Sequence, residues 1–222
     1  MSGKYVFIQR MGPQMASYRY RAQIPAQAIG GTVNGGEATH LIFSKPTPDD
    51  LHLAKTMQAE GLKIVADLGD DHFTHETWGP IYREMVHLAD AVVTPTANQA
   101  DRIKGYTGRT VDLVIPDPYE EPWQAPHADT GLHCLWFGHA SNLKDLLPWL
   151  PYLQQVPLTL VTGENHHLTQ DYLRWTPETQ TRELHRANFV LLPTRKGVEY
   201  KSPNRLVNAL RAGCFPICGD KI

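Results

Sequence analysis

Short apolar, β-branched runs alternate along the chain with longer stretches of mixed apolar and polar residues. The runs at 5–9, 40–44, 63–67, 91–95 and 111–115 (YVFIQ, HLIFS, KIVAD, AVVTP and VDLVI) predict strands. Residues 17–29, 49–60, 76–89 and 97–105 between them carry the longer period of helices. The strands are near-continuous in apolar residues, as expected when both faces of a sheet are covered. At 116–131, PDPYEEPWQAPHADTG, the alternation stops and four prolines appear, a linker composition. It resumes with predicted strands at 133–137, 158–162, 172–175, 189–193 and 215–218, and helices at 142–154, 177–187 and 203–212. Strand–helix alternation predicts parallel sheets with crossover helices. The expected fold class is α/β, with two Rossmann-like parallel-sheet domains. The first covers 1–118, a linker covers 119–131, and a short second domain covers 132–222.

Composition narrows the function classes. Apolar residues make up 41% and charged residues 20% of the 222 positions, as in ordinary globular proteins. The net charge of −2, with both signs interspersed, lacks the basic excess of a nucleic-acid or anionic-membrane binder. Cys134, Cys214 and Cys218 are odd in number and lack zinc-type spacing, which reads as core thiols in a reducing compartment. The opening residues run straight into a strand, and no apolar stretch reaches membrane-spanning length. A cytoplasmic protein is the expectation.

In open parallel sheets, ligands bind beyond the carboxyl ends of the strands. The segments to inspect are RMGPQMASYRYR, SKPTP and DLGDDHF in the first half, and GHASN, TGENHH and PTRKGVEYKSPNR in the second. They predict a cleft lined by both halves. The last is the richest. A buried-type strand, FVLLP, leads into a loop with Arg195, Lys196 and Lys201. Ser202 then reads as an N-cap, Pro203 as the first helical residue and Gly213 as the helix stop. Leu206, Ala209 and Leu210 share a face predicted to pack on the sheet. A helix N-terminus favours anions, so Lys201 and Arg205 beside it oppose the helix dipole unless an anion such as a diphosphate binds there.

The run PNRLVNALRAGCFPI resembles the donor-site signature of GT-B glycosyltransferases, the family 1/4-like group, with a K-S-P-N-R variant of its opening. LWFGHASNLKDLLPWLPYL resembles the start of their donor domain. SYRYRAQIPAQAIGG, KIVADLGDDHF and ADAVVTPTANQADRI resemble successive segments of their acceptor-side domain. The resemblance implies transfer of a sugar from a nucleotide-diphosphate sugar, such as a UDP or GDP sugar, to a carbohydrate or other acceptor, without a metal. The nucleotide sugar is then a co-substrate, and no tightly bound cofactor is expected. Retaining members carry two glutamates separated by seven residues. Here the ribose position falls on Asn208 and the sugar-side position on Tyr200, with Glu199 beside it.

The donor set expected on this reading is Gly138, Asn142, Arg195, Lys196, Lys201, Ser202, Asn204, Arg205 and Asn208. Lys and Arg together with a helix N-terminus would stabilise the leaving diphosphate. On the acceptor side, Asp70, Asp71 and His72 follow the third predicted strand. Asp71 or His72 is the candidate base of an inverting enzyme, and Glu199 the sugar-side carboxylate. Arg19 and Arg21, near a predicted helix start, are candidates to meet an anionic acceptor or donor phosphate. Two other readings stay open: a nucleotide-sugar epimerase of the same fold, and a non-catalytic module that binds nucleotide or a partner.

Overall fold

A computed structural model describes residues 4–126, 131–164, 171–193 and 201–219. Arg195, Lys196 and Glu199 lie outside the described residues. The chain divides into two compact units, 1–118 with 200–202, and 119–199 with 203–222.

The first unit holds β1 (Tyr5–Ile8), α1 (Ala16–Tyr18), α2 (Ile24–Ile29), β2 (Thr32–Val33), β3 (His40–Ser44), α3 (Pro48–Ala59), β4 (Lys63–Asp67), α4 (Trp78–Leu88), β5 (Ala91–Thr94), α5 (Ala97–Thr107) and β6 (Leu113–Val114). Its sheet runs in the order β2-β1-β3-β4-β5-β6, and every pair is parallel. Alternate side chains fill opposite faces. Val6, Leu41, Phe43, Ile64 and Ala66 pack under α3, α4 and α5 through Leu51, Ala54, Met85, Val86 and Ile103. Phe7 and Ile42 face the other way, against Ala22 and Ala26. Each such side chain taken from water contributes about 1.5–3 kcal/mol. Thr47 caps α3 in a reciprocal capping box with Asp50, and Pro48 opens the helix.

The second unit holds β7 (Cys134–Phe137), α6 (Leu143–Leu146), β8 (Leu158–Thr162), β9 (Asp171–Arg174), α7 (Pro177–Leu184), β10 (Phe189–Leu192), α8 (Asn204–Arg211) and β11 (Phe215–Cys218). Its parallel sheet runs β11-β10-β7-β8-β9. Leu135, Phe137, Val161, Val190 and Leu192 pack against Leu184, Ala209 and Ala212. Cys134, Trp136, Leu158, Leu160 and Leu191 pack against Leu143 and Leu146.

Several local expectations are corrected. The helix expected at 17–29 runs from Ala16 to Ile29 with a π-helical stretch, Arg19–Gln23, in its middle. The helix expected at 142–154 is a 3₁₀ turn (Ala140–Asn142), the short α6 and a second 3₁₀ stretch (Leu147–Tyr152). Pro148 and Pro151 remove the donors a continuous helix needs. Two-residue β2 was missed because it is too short to show a period. The helix after FVLLP starts at Asn204 with Pro203 at the cap position, and no side chain caps it, so Ser202 is not the N-cap. Leu210 is 48% exposed, while Ala209 and Ala212 carry the packing. Gly213 ends the helix at φ +82°, and a Cβ there would strike the Ala125 backbone. The segment from Tyr119 lies along the same helix end. The Arg211 guanidinium sits 3.5 Å from the Tyr119 ring centroid, and its Nε donates to the Glu121 carbonyl at 2.6 Å.

Candidate functional site

At the carboxyl end of β7, Phe137 is followed by Gly138, whose φ is +156°. The His139 imidazole caps the 3₁₀ turn that follows, accepting from the Ser141 amide at 3.3 Å, and Asn142 ends that turn. Arg205, in the first turn of α8, reaches back to this corner. Its Nη1 donates to the Phe137 carbonyl at 2.9 Å, and its guanidinium carbon lies 5.9 Å from the Trp136 ring centroid. A Cβ on Gly138 would stand 2.7 Å from that Nη1, so the missing side chain makes the room Arg205 occupies. Burial pulls the Arg205 pKa below the usual arginine value, with Asp145 opposing through space. At close range this cation meets a neutral carbonyl and an aromatic face. Among the described residues Asp145 acts on it only through space, so an anion arriving there would meet a partly desolvated cation with no carboxylate hydrogen-bonded to it.

Asn204 opens α8 beside Arg205. Asn208 is 2% exposed and its Oδ1 accepts from the Glu120 amide at 3.4 Å, so its side chain is engaged with the segment entering this unit. Lys201 and Ser202 group with the first unit, not with the second.

The carboxyl ends of the first sheet carry more charge, and most of it is matched. Arg21, in the π-helical stretch, is 7% exposed. Its guanidinium grips both oxygens of Asp67, at the end of β4, and its Nη1 also donates to Asp117 Oδ1 and to the Ile115 carbonyl, each at 3.0 Å. Burial pushes the Asp67 carboxyl up, against the pull of Arg21 and with Asp117 adding to it. Arg21 is therefore neutralised inside its own unit, where the sequence had suggested a cation presented to a ligand. Arg19 is nearly as buried and its Nη1 donates to the Pro13 carbonyl at 2.9 Å.

The loop after β4 holds the other acceptor-side candidates. The Asp71 side chain is 4% exposed, pairs with Arg102, and accepts from the Phe73 amide at 3.3 Å. Asp70 pairs with Lys45 at 2.9 Å, and its carbonyl accepts from the Gln99 side-chain amide at 3.0 Å. Burial alone would raise the Asp70 pKa, but Lys45, with His72 and Lys201, holds it below the usual carboxylate value. His72 is partly buried, its ring edge-on to Tyr82 at 5.1 Å between centroids. Burial lowers its pKa, Lys45 and His75 lower it further, and Asp70 and Asp71 oppose. A neutral imidazole at neutral pH is a competent proton acceptor. Among the described residues, no three His, Cys, Asp or Glu side chains come together as a metal site, and no helix is long and apolar enough to cross a membrane.

Lys45 and Trp136 went unmarked in the sequence reading. Lys45 follows a strand in SKPTP, where a lysine gives no signal of a special backbone conformation. Trp136 lies inside CLWF, where its second role as a ring against Arg205 is hidden by its burial.

No protein-family model and no curated protein matches this chain. Its structure is similar to that of an alpha-glucosyltransferase solved in complex with UDP-glucose and DNA containing an abasic site. The TM-score is 0.66 at 9% identity, over 96% of this chain and 79% of that one. At that identity the likeness is one of fold: two parallel-sheet α/β units of the GT-B type, with six and five strands.

Proposed function

We propose that the protein is a glycosyltransferase that moves a sugar from a nucleotide-diphosphate sugar to a hydroxyl-bearing acceptor. The second unit binds the donor and the first presents the acceptor. The observation that carries this reading is the Arg205 guanidinium, desolvated at the carboxyl end of β7 on the Phe137 carbonyl and the Trp136 ring, beside Gly138. The likened enzyme was solved with UDP-glucose, which supports a nucleotide sugar as co-substrate.

In an inverting displacement, the acceptor oxygen attacks the anomeric carbon as the bond from that carbon to the diphosphate oxygen breaks. His72 takes the acceptor proton, because it is held neutral while Asp71 is engaged by Arg102. The leaving diphosphate is stabilised by Arg205, with Gly138, Asn142 and Asn204 of the same unit, and by Arg195 and Lys196 of the loop before α8. No metal is required for that step, since the cations are side chains. Glu199 stands nearest in sequence to the sugar-side position, and Asn208 at the ribose position bonds without charge.

Turnover separates this reading from its rivals. Purified protein is incubated with UDP and GDP sugars, with and without oligosaccharide and DNA acceptors. Nucleotide release that depends on acceptor, with sugar joined to it, is the expected result. A sugar isomer formed without acceptor would mean an epimerase. Nucleotide binding with no turnover on any acceptor would mean a binding module.

A further inference from the structure

Two described residues other than glycine have left-handed backbone conformations, Asn34 at φ +57° and Lys45 at φ +54°. Asn34 is accounted for locally. Asparagine tolerates this region, and its side chain closes two hydrogen bonds with the Gln9 backbone, at 2.8 and 2.7 Å. Lysine has no such tolerance, and glycine would take the conformation without steric cost. Lys45 immediately follows β3, at the ligand-binding edge of the first sheet. Its ammonium reaches the loop after the neighbouring strand β4 and pairs with Asp70 at 2.9 Å, two residues before His72. The other end of that loop position is also fixed, by Gln99 on the Asp70 carbonyl. A strained backbone that delivers one side chain to a site edge is where function and strain coincide.

We propose that Lys45 is a positioning residue for His72: its left-handed backbone aims the ammonium at Asp70, pins the loop that carries the imidazole, and keeps a positive charge beside it. The assignment rests on the reading of His72 as the acceptor-side base. The groups that face His72 are Asp70 and Asp71 from its own loop, Lys45 from the end of β3, and His75 and Tyr82 from the segment and helix that follow. Lys45 and His75 disfavour the imidazolium, and the two aspartates favour it. Removing the Lys45 cation leaves the aspartates less opposed, so the imidazole must gain affinity for a proton.

The test is an NMR titration of the imidazoles in the full chain, for the wild type, K45M, K45R and K45G. In K45M the His72 pKa rises above its wild-type value. K45R keeps the wild-type His72 value. K45G relaxes the backbone but lacks the cation. It therefore matches K45M in titration while folding at least as well, and it decides the matter if K45M does not fold. With turnover in hand, the acid limb of the rate profile moves to higher pH in K45M and K45G, and K45R restores it. A His72 pKa unchanged in folded K45M or K45G overturns the proposal. Absence of turnover in the wild type overturns the transferase reading instead, and the titration still decides the role of Lys45.

Discussion

At the carboxyl edge of each parallel sheet stands an arginine drawn out of water, Arg21 buried and Arg205 partly buried, and the two have different surroundings. Arg21 is held by two carboxylates, Asp67 and Asp117, and by a carbonyl, with both acids as buried as the arginine. Arg205 has a carbonyl and a tryptophan ring, and burial acts against its charge. An arginine whose charge is matched inside the fold ties elements together. Here Arg21 joins the π-helical stretch to the ends of β4 and β6. Arg205 donates to a neutral carbonyl and is balanced only through space, by Asp145, which is why the proposed donor site is centred on it. The sequence marks Arg205 for a donor diphosphate and Arg21 for an anionic acceptor or donor phosphate, and the two differ in what surrounds them.

The largest expected effect is on stability in the first unit. Arg21→Met leaves two buried carboxylates without their cation and should destabilise the protein by about 3–5 kcal/mol, read from urea denaturation midpoints. Arg205→Met removes a cation that Asp145 feels only through space, with no carboxylate hydrogen-bonded to it among the described residues. It removes a hydrogen bond to a carbonyl and relieves a desolvated charge, so the cost should stay near or below about 1 kcal/mol. Equal losses from the two changes would break the comparison, because Arg205 would then be a structural ion like Arg21. A smaller effect sharpens it. In Gly138→Ala the new Cβ meets Arg205 Nη1, the movable tip of a side chain, so the protein should stay folded while the guanidinium shifts. Nucleoside diphosphate affinity should fall several-fold, by less than in Arg205→Met, and the thermal midpoint without ligand should fall modestly, because alanine is strained at φ +156°.

Much of the fold was legible because its strands are short, near-continuous apolar runs alternating with helical stretches. HLIFS, KIVAD and FPIC were read to the residue. What failed was local. Ser202 looked like a cap by residue type, but the first helical residue is Asn204 and the backbone turns at Pro203. Helix period alone put Leu210 inward, whereas the sheet accepts the smaller Ala209 and Ala212 and leaves Leu210 in water. The site was legible as a set of loops and much less as a set of roles. Residue type and loop position marked Arg21, Asp71 and Arg205 alike. Only burial and partners distinguish a neutralised arginine, an aspartate held by Arg102, and a cation facing a carbonyl. Lys45 carries its information in a backbone angle, which a lysine codon does not announce.

The most direct measurement is calorimetric titration of UDP and GDP into the wild type and Arg205→Met, with urea midpoints recorded on the same samples. The account predicts binding of at least one nucleoside diphosphate to the wild type. It also predicts a loss of about 1.5–3 kcal/mol of binding free energy in the variant, roughly tenfold or more in affinity, with folding retained. Unchanged affinity in a folded Arg205→Met protein would contradict it.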